Sequence, residues 1–254
     1  MIEEPFATGT SLIHRIDPRH RLLAAAVYSV LVAVSYDVGA LLGALVWGIV
    51  LAYLARLDIR LVSRRLLVVS GFLILIWVVL PATYEGRPLA VFGPVTLSRE
   101  GATLSLQITM KTLAITLTLM ALVATMTAAT LGYALGSLGV PDKLVTLLLI
   151  TYRYIFVIEQ EYTRLSRAAR IRGFRPGTSL HSYKTYAYFV GMLFVRAADR
   201  ANRVYQAMRC RGFRGRFYTL AVFPPHARNW AFSLVMGLMT VGIAWLEWGG
   251  KGFR

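Results

Sequence analysis

Leu66-Leu67-Val68-Val69-Ser70-Gly71-Phe72-Leu73-Ile74-Leu75-Ile76-Trp77-Val78-Val79-Leu80, stopped by Pro81, carries no charge and decides the class of fold. An apolar run of this kind reads as a membrane-spanning helix. Upstream lies a segment bearing Arg56, Arg60, Arg64 and Arg65, which reads as a basic loop. Further upstream, Leu22 to Ala55 is apolar except for Asp37. That is long for one span of about 20 residues and short for two. The Asp37-Val38-Gly39 turn signal favours a hairpin of two short helices, roughly 21–36 and 39–55. Asp17-Pro18 reads as a helix start, with the acid as cap and Pro at the first helical position.

Downstream, residues 82–101 read as a Gly/Pro-punctuated loop, and Thr103 to about Leu131 as a long Thr-rich helix before a break from Gly136 to Pro141. Lys143 to Ile158 is apolar and helical, and either spans or lies along the membrane surface. Trp230 to Trp248 is a span with Trp at both ends, an aromatic-belt pattern. The expected fold is therefore all-α: a polytopic membrane protein with about five transmembrane helices plus cytoplasmic amphipathic helices. Its expected divisions are 1–20, an N-terminal cytoplasmic segment; 21–135, helices 1–4 with the basic loop 56–65; 136–228, a cytoplasmic or interfacial region; and 229–254, the last span and tail.

Composition agrees. The 254 residues are 57% hydrophobic and 16% charged, far from an average soluble domain, yet the net charge is +16. Such an excess serves orientation in the bilayer, attraction to anionic lipid, or docking of an acidic protein; nucleic acid is not expected as a partner. Placing 56–65 and 136–228 in the cytoplasm puts the N-terminus inside and the C-terminus outside, with Lys251 and Arg254 as exceptions to the charge rule. The acids Glu3 and Glu4 stand where a signal peptide would carry positive charge. The single Cys210 rules out an intrachain disulfide or a multi-Cys metal site.

The basic region contains one phrase twice: Ala168-Ala169-Arg170-Ile171-Arg172-Gly173-Phe174-Arg175 and, 39 residues on, Ala207-Met208-Arg209-Cys210-Arg211-Gly212-Phe213-Arg214. Residues 159–216 hold thirteen Lys/Arg, opposed by Glu159, Glu161 and Asp199. Arg164, Arg167 and Arg170 form one stripe, and Arg196, Arg200 and Arg203 another at i, i+4, i+7. Both phrases read as helix ends, with Gly173 and Gly212 in the left-handed position just past them and arginine at the negative end of the dipole. An Arg followed by Gly is an ordinary helix ending. Capping asks for neither the Phe, nor the second Arg, nor the repetition, so the pair reads as two docking points for a partner present in two copies.

On these residues, together with His14-Arg15-Ile16-Asp17-Pro18-Arg19 and the order of spans, the chain resembles the transmembrane (T) subunit of energy-coupling-factor transporters, nearest the CbiQ-type cobalt/nickel branch. The resemblance covers nearly the whole chain. It implies a non-catalytic scaffold and coupling subunit of an ATP-driven uptake transporter in the bacterial inner membrane. It implies two cytoplasmic ATPase subunits as partners, binding ATP and Mg, and a substrate-binding S component, with or without a small accessory membrane subunit. Carried over by position, Arg172 and Arg211 dock on the ATPases, Ala168 and Ala207 allow close helix approach, and Gly173 and Gly212 terminate the helices. Arg170 and Arg209 are extra charges with a supporting role, and Cys210 stands where the first phrase has Ile171. Cobalt is the expected cargo, with nickel or a vitamin as the alternative.

The chain holds no Gly-rich Lys-Ser/Thr loop, so ATP hydrolysis is not expected in it. His14, His20, His181 and His226 are dispersed and read as solvated, so no metal site or cofactor is expected here. Lys111, one turn from Gln107 in a Thr-rich span, either snorkels to the interface or makes a polar helix–helix contact. Glu247 reads as interfacial. The Thr/Ala/Gly content of 112–136 suits close helix packing. Two other classes are weighed. A membrane enzyme acting on an anionic lipid or prenyl phosphate would need an acidic Mg²⁺ motif, and the carboxylates are scattered. A channel or lone secondary transporter would need repetition across the spans, and only the basic phrase repeats.

Overall fold

A computed structural model describes residues 6, 7, 9, 11–84, 86–92, 95–215 and 227–249. Glu3, Glu4, Arg216, His226, Lys251 and Arg254, on which parts of the reading above rest, lie outside the described residues. The chain is built from eight described helices: α1 (Pro18–Val34), α2 (Val38–Leu54), α3 (Ile59–Thr83), α4 (Arg99–Leu122), α5 (Ala128–Ser137), α6 (Asp142–Ile171), α7 (Leu180–Cys210) and α8 (Ala227–Gly249). A 3-10 turn, Ile13–Arg15, precedes them. A short antiparallel hairpin, β1 (Pro88–Phe92) and β2 (Val95–Ser98), joins α3 to α4, paired from Pro88 with Ser98 to Phe92 with Val95. These elements form two compact units: α6 and α7 with most of α5 in one, and α1–α4, the hairpin and α8 in the other.

Three helices, α3, α4 and α8, are long and apolar enough to cross a membrane, and α2 is a shorter apolar helix of 17 residues. The all-α polytopic architecture is thus present. Local chemistry sets several boundaries. Asp17 accepts the Arg19 N–H at 2.9 Å with Pro18 in the first helical position, and the Asp37 carboxylate accepts the Ala40 N–H at 3.0 Å. Both are side-chain N-caps, Asp17 as expected and Asp37 beyond the turn that the sequence signalled.

Four boundaries differ from the sequence reading. The basic loop shrinks to a tight turn, because Asp58 caps α3 at the Arg60 N–H and Arg60, Arg64 and Arg65 stand on its exposed first turns. Pro81 lies inside α3 rather than after it: in the last turn its missing N–H costs a single hydrogen bond. The long Thr-rich helix is two helices. Thr127 restarts the chain by accepting the Thr130 N–H at 3.1 Å, a cap that no Gly or Pro announces. Finally, the loop 82–101 contains the β-hairpin.

The α1–α4/α8 unit packs through small residues. Ala40, Ala44 and Gly48 form an i, i+4 stripe on α2, and Ala114, Thr118 and Ala121 are fully buried on α4. A Cβ on Gly48 would lie 3.1 Å from the Ala114 carbonyl oxygen, so backbone meets backbone there. The Tyr28 hydroxyl, wholly buried, donates to the Ala44 carbonyl at 2.7 Å and ties α1 to α2.

Candidate functional site: two matched helix ends

The repeated phrases end helices in the same way, residue for residue. In α6 the Phe174 N–H donates to the Ala169 carbonyl and the Gly173 N–H to that of Arg170, both at 3.0 Å. In α7 Phe213 and Gly212 make the same bonds to Met208 and Arg209, again at 3.0 Å. This is the Schellman pattern, and the glycine must be left-handed: φ is 86° at Gly173 and 78° at Gly212. Arg172 and Arg211 take the C-cap positions with nearly equal backbone angles (φ −83°, ψ 13° and φ −90°, ψ 11°). Both are exposed, as are Arg170, Arg209, Ala168 and Ala207. The Ala168 and Ala207 carbonyls each receive the C-cap N–H at 3.3 Å.

One step of the sequence argument needs correcting here. The repeated Phe belongs to the cap, since a Schellman ending places an apolar residue at that position. Phe174 packs edge-on to Tyr186 and Phe189 of α7, with ring centroids 5.8 and 6.1 Å away, and Phe213 lines a cleft beside Met208. What the capping does not account for is the exposed guanidinium pair.

The arginine stripes are not uniformly free either. Glu161, 12% exposed at its side chain, accepts from Arg196 at 2.8 Å, Arg200 at 3.1 Å and Arg164 at 3.2 Å. Two of these bonds cross from α6 to α7. Arg196, foremost, holds the Glu161 carboxyl below the usual carboxylate range, aided by the charges of Arg164 and Arg200 against the opposing effect of burial. Sequence reasoning counted Glu161 merely as opposing charge. The usable signal was the repeat itself: Glu161 and Arg200 are 39 residues apart, the offset of the two phrases.

The other candidate residues gather at the α1–α2 turn. The Gln107 Nε2 donates to the Tyr36 carbonyl at 2.7 Å, and the Lys111 Nζ to the Ala33 carbonyl at 3.0 Å, with the ammonium 4.1 Å from the Tyr36 ring centroid. Lys111 thus bonds α4 to the end of α1. Glu247, near the end of α8, is buried and accepts the backbone N–H groups of Tyr36 and Asp37 at 3.0 and 2.7 Å. His14 and His20 are bonded rather than solvated: His14 to Ser11 and the Phe6 carbonyl, His20 to Ser233. Arg21, passed over in the sequence, is buried and donates to the Leu122 carbonyl at 2.8 Å and to Thr125, closing the end of α4. Among the described residues, no group of three or more His, Cys, Asp or Glu could hold a metal ion.

The fold and these ends define a polytopic helical membrane protein that presents two equivalent basic tips. Residues 9–219 match the family model described as CbiQ, cobalt transport protein, and the chain belongs to this family. It is 29% identical over 259 residues to an energy-coupling factor transporter transmembrane protein EcfT from Acidaminococcus fermentans, covering 95% of this chain and 94% of that one. An EcfT from Bacillus subtilis is 28% identical over 85% of each chain. The cobalt transport protein CbiQ of Rhodobacter capsulatus is 30% identical over 57% of each. The chain is thus a transmembrane component of an energy-coupling-factor transporter.

Proposed function

We propose that this component is the coupling scaffold of an ATP-driven uptake system for cobalt ion. Two cytoplasmic ATPase subunits grip Arg172 and Arg211, and a separate S component, with or without a small accessory membrane subunit, carries the cargo. The observation that carries the reading is the identity of the two capped ends, which hold Arg172 and Arg211 exposed in the same conformation. A guanidinium fixes a carboxylate partner in direction as well as place, and so can transmit displacement. ATP and Mg bind on the ATPase subunits, whose motion α6 and α7 pass to the S component. Arg170 and Arg209 add charge around each tip. The chain itself performs no catalysis. Residues 136–228 and the N-terminus face the cytoplasm of the bacterial cell, and α1, α2, α3, α4 and α8 make five spans.

Cobalt is supported by the family description and by the Rhodobacter capsulatus relative. The alternative cargo is nickel or a vitamin, since the relatives matched over most of their length carry names that specify none. Uptake of radiolabelled cobalt by cells carrying the complete transporter tests the coupling role. Arg172→Ala with Arg211→Ala should reduce it to background with membrane insertion intact, because truncating one partner of a desolvated charge pair costs about 2–5 kcal/mol. Wild-type uptake by the double variant would remove these residues from the mechanism.

A further inference from the structure

The α1–α4/α8 unit holds a second basic feature that the coupling role does not use. A cavity of about 880 Å³ opens between the N-terminal 3-10 turn, the α2–α3 turn and α4. Its walls are apolar, with Tyr53 83%, Ile59 82% and Leu12 61% exposed, and Ala52 and Leu117 also line it. Arg15 and Arg56 complete the lining, and both are exposed. Among the described residues neither arginine has an ion-pair partner. The neighbouring acid, Asp58, directs Oδ1 to the Arg60 N–H at 3.0 Å. Arg60, Arg64 and Arg65 follow on exposed turns of α3.

Arg56 is also held at φ 51°, a left-handed conformation unfavourable for an L side chain and ordinarily given to glycine. Its N–H donates to Tyr53 and that of Leu57 to Ala52, so this turn too is a Schellman ending, with Arg in the glycine position. An apolar hollow in a membrane protein, rimmed by exposed guanidinium groups, matches a ligand with an apolar body and an anionic head.

We propose that this cavity is a binding site for one anionic phospholipid. The phosphate sits between Arg15 and Arg56, and the upper acyl chain lies against Tyr53, Ile59 and Leu12. The site is independent of the two docking tips, and its loss leaves them intact.

The test is native mass spectrometry of the full-length chain, purified in mild detergent and titrated with phosphatidylglycerol or phosphatidylcholine. Wild type should retain one phosphatidylglycerol and no phosphatidylcholine. Arg15→Gln with Arg56→Gly should weaken retention by about thirtyfold, from about a fivefold factor per arginine near the headgroup. Ala52→Trp fills the hollow and keeps both charges, and should also lose the lipid. Circular dichroism checks each variant. Should the double variant or Ala52→Trp lose helix content, Arg56→Gly alone carries the test, since glycine is at ease at that φ. Equal retention of the two lipids, or wild-type retention by either folded variant, overturns the site.

Discussion

Single side chains in this protein often serve a backbone segment far away in sequence. Arg21 closes the end of α4 by donating to the Leu122 carbonyl. Arg21→Met should orphan that buried carbonyl and destabilise the unit by about 1–3 kcal/mol, read as a lower unfolding temperature in detergent. Thr125 would keep its bond to Ala121, which limits the damage to one acceptor. Arg56→Gly should do the opposite, raising stability by about 1 kcal/mol through relief of the left-handed strain. The sequence displayed the caps that act within four residues, such as Asp17, Gly173 and Gly212, because their chemistry is local. It hid Arg21 and Glu247, whose partners lie 101 and 210 residues away.

Between elements, burial and charge divide the work. The α2–α4 seam rests on the small stripe of Ala40, Ala44 and Gly48. Gly48→Leu should force the helices apart at the Ala114 carbonyl and cost about 1–3 kcal/mol, again visible in thermal unfolding. The α6–α7 pair rests instead on Glu161 and its three arginines. Because the folded carboxyl is depressed, its contribution is present above the ordinary carboxylate value near 4.3 and disappears as pH falls through the lower folded value. Crosslinking between α6 and α7 should thus be constant from pH 7 to about pH 5 and fall in stronger acid. Glu161→Gln should be weaker at neutral pH and lose that acid dependence. Apolar periodicity had revealed the helices, but the break between α4 and α5 was invisible because Thr127 makes it with an ordinary residue in a Thr-rich run.

For the whole molecule, Cys210 offers a reporter that needs no engineering. It is the sole cysteine, exposed at the last residue of α7. Under the proposed orientation, a membrane-impermeant maleimide should label inside-out vesicles and spare right-side-out ones, and added ATPase subunits should protect the thiol. Labelling of right-side-out vesicles alone would reverse the topology. The apolar helices, the basic excess and the doubled phrase were readable from the residues. The two-unit packing was not, because it depends on which apolar faces meet. Glu161 stands eleven residues before Arg172, and Arg200 eleven before Arg211, about 16 Å along each helix. Under the proposed coupling role the pair would act as shears riveted at equal distance from both handles: a squeeze that draws one tip inward would move the other by the same amount, and neither ATPase subunit would gain leverage over its twin.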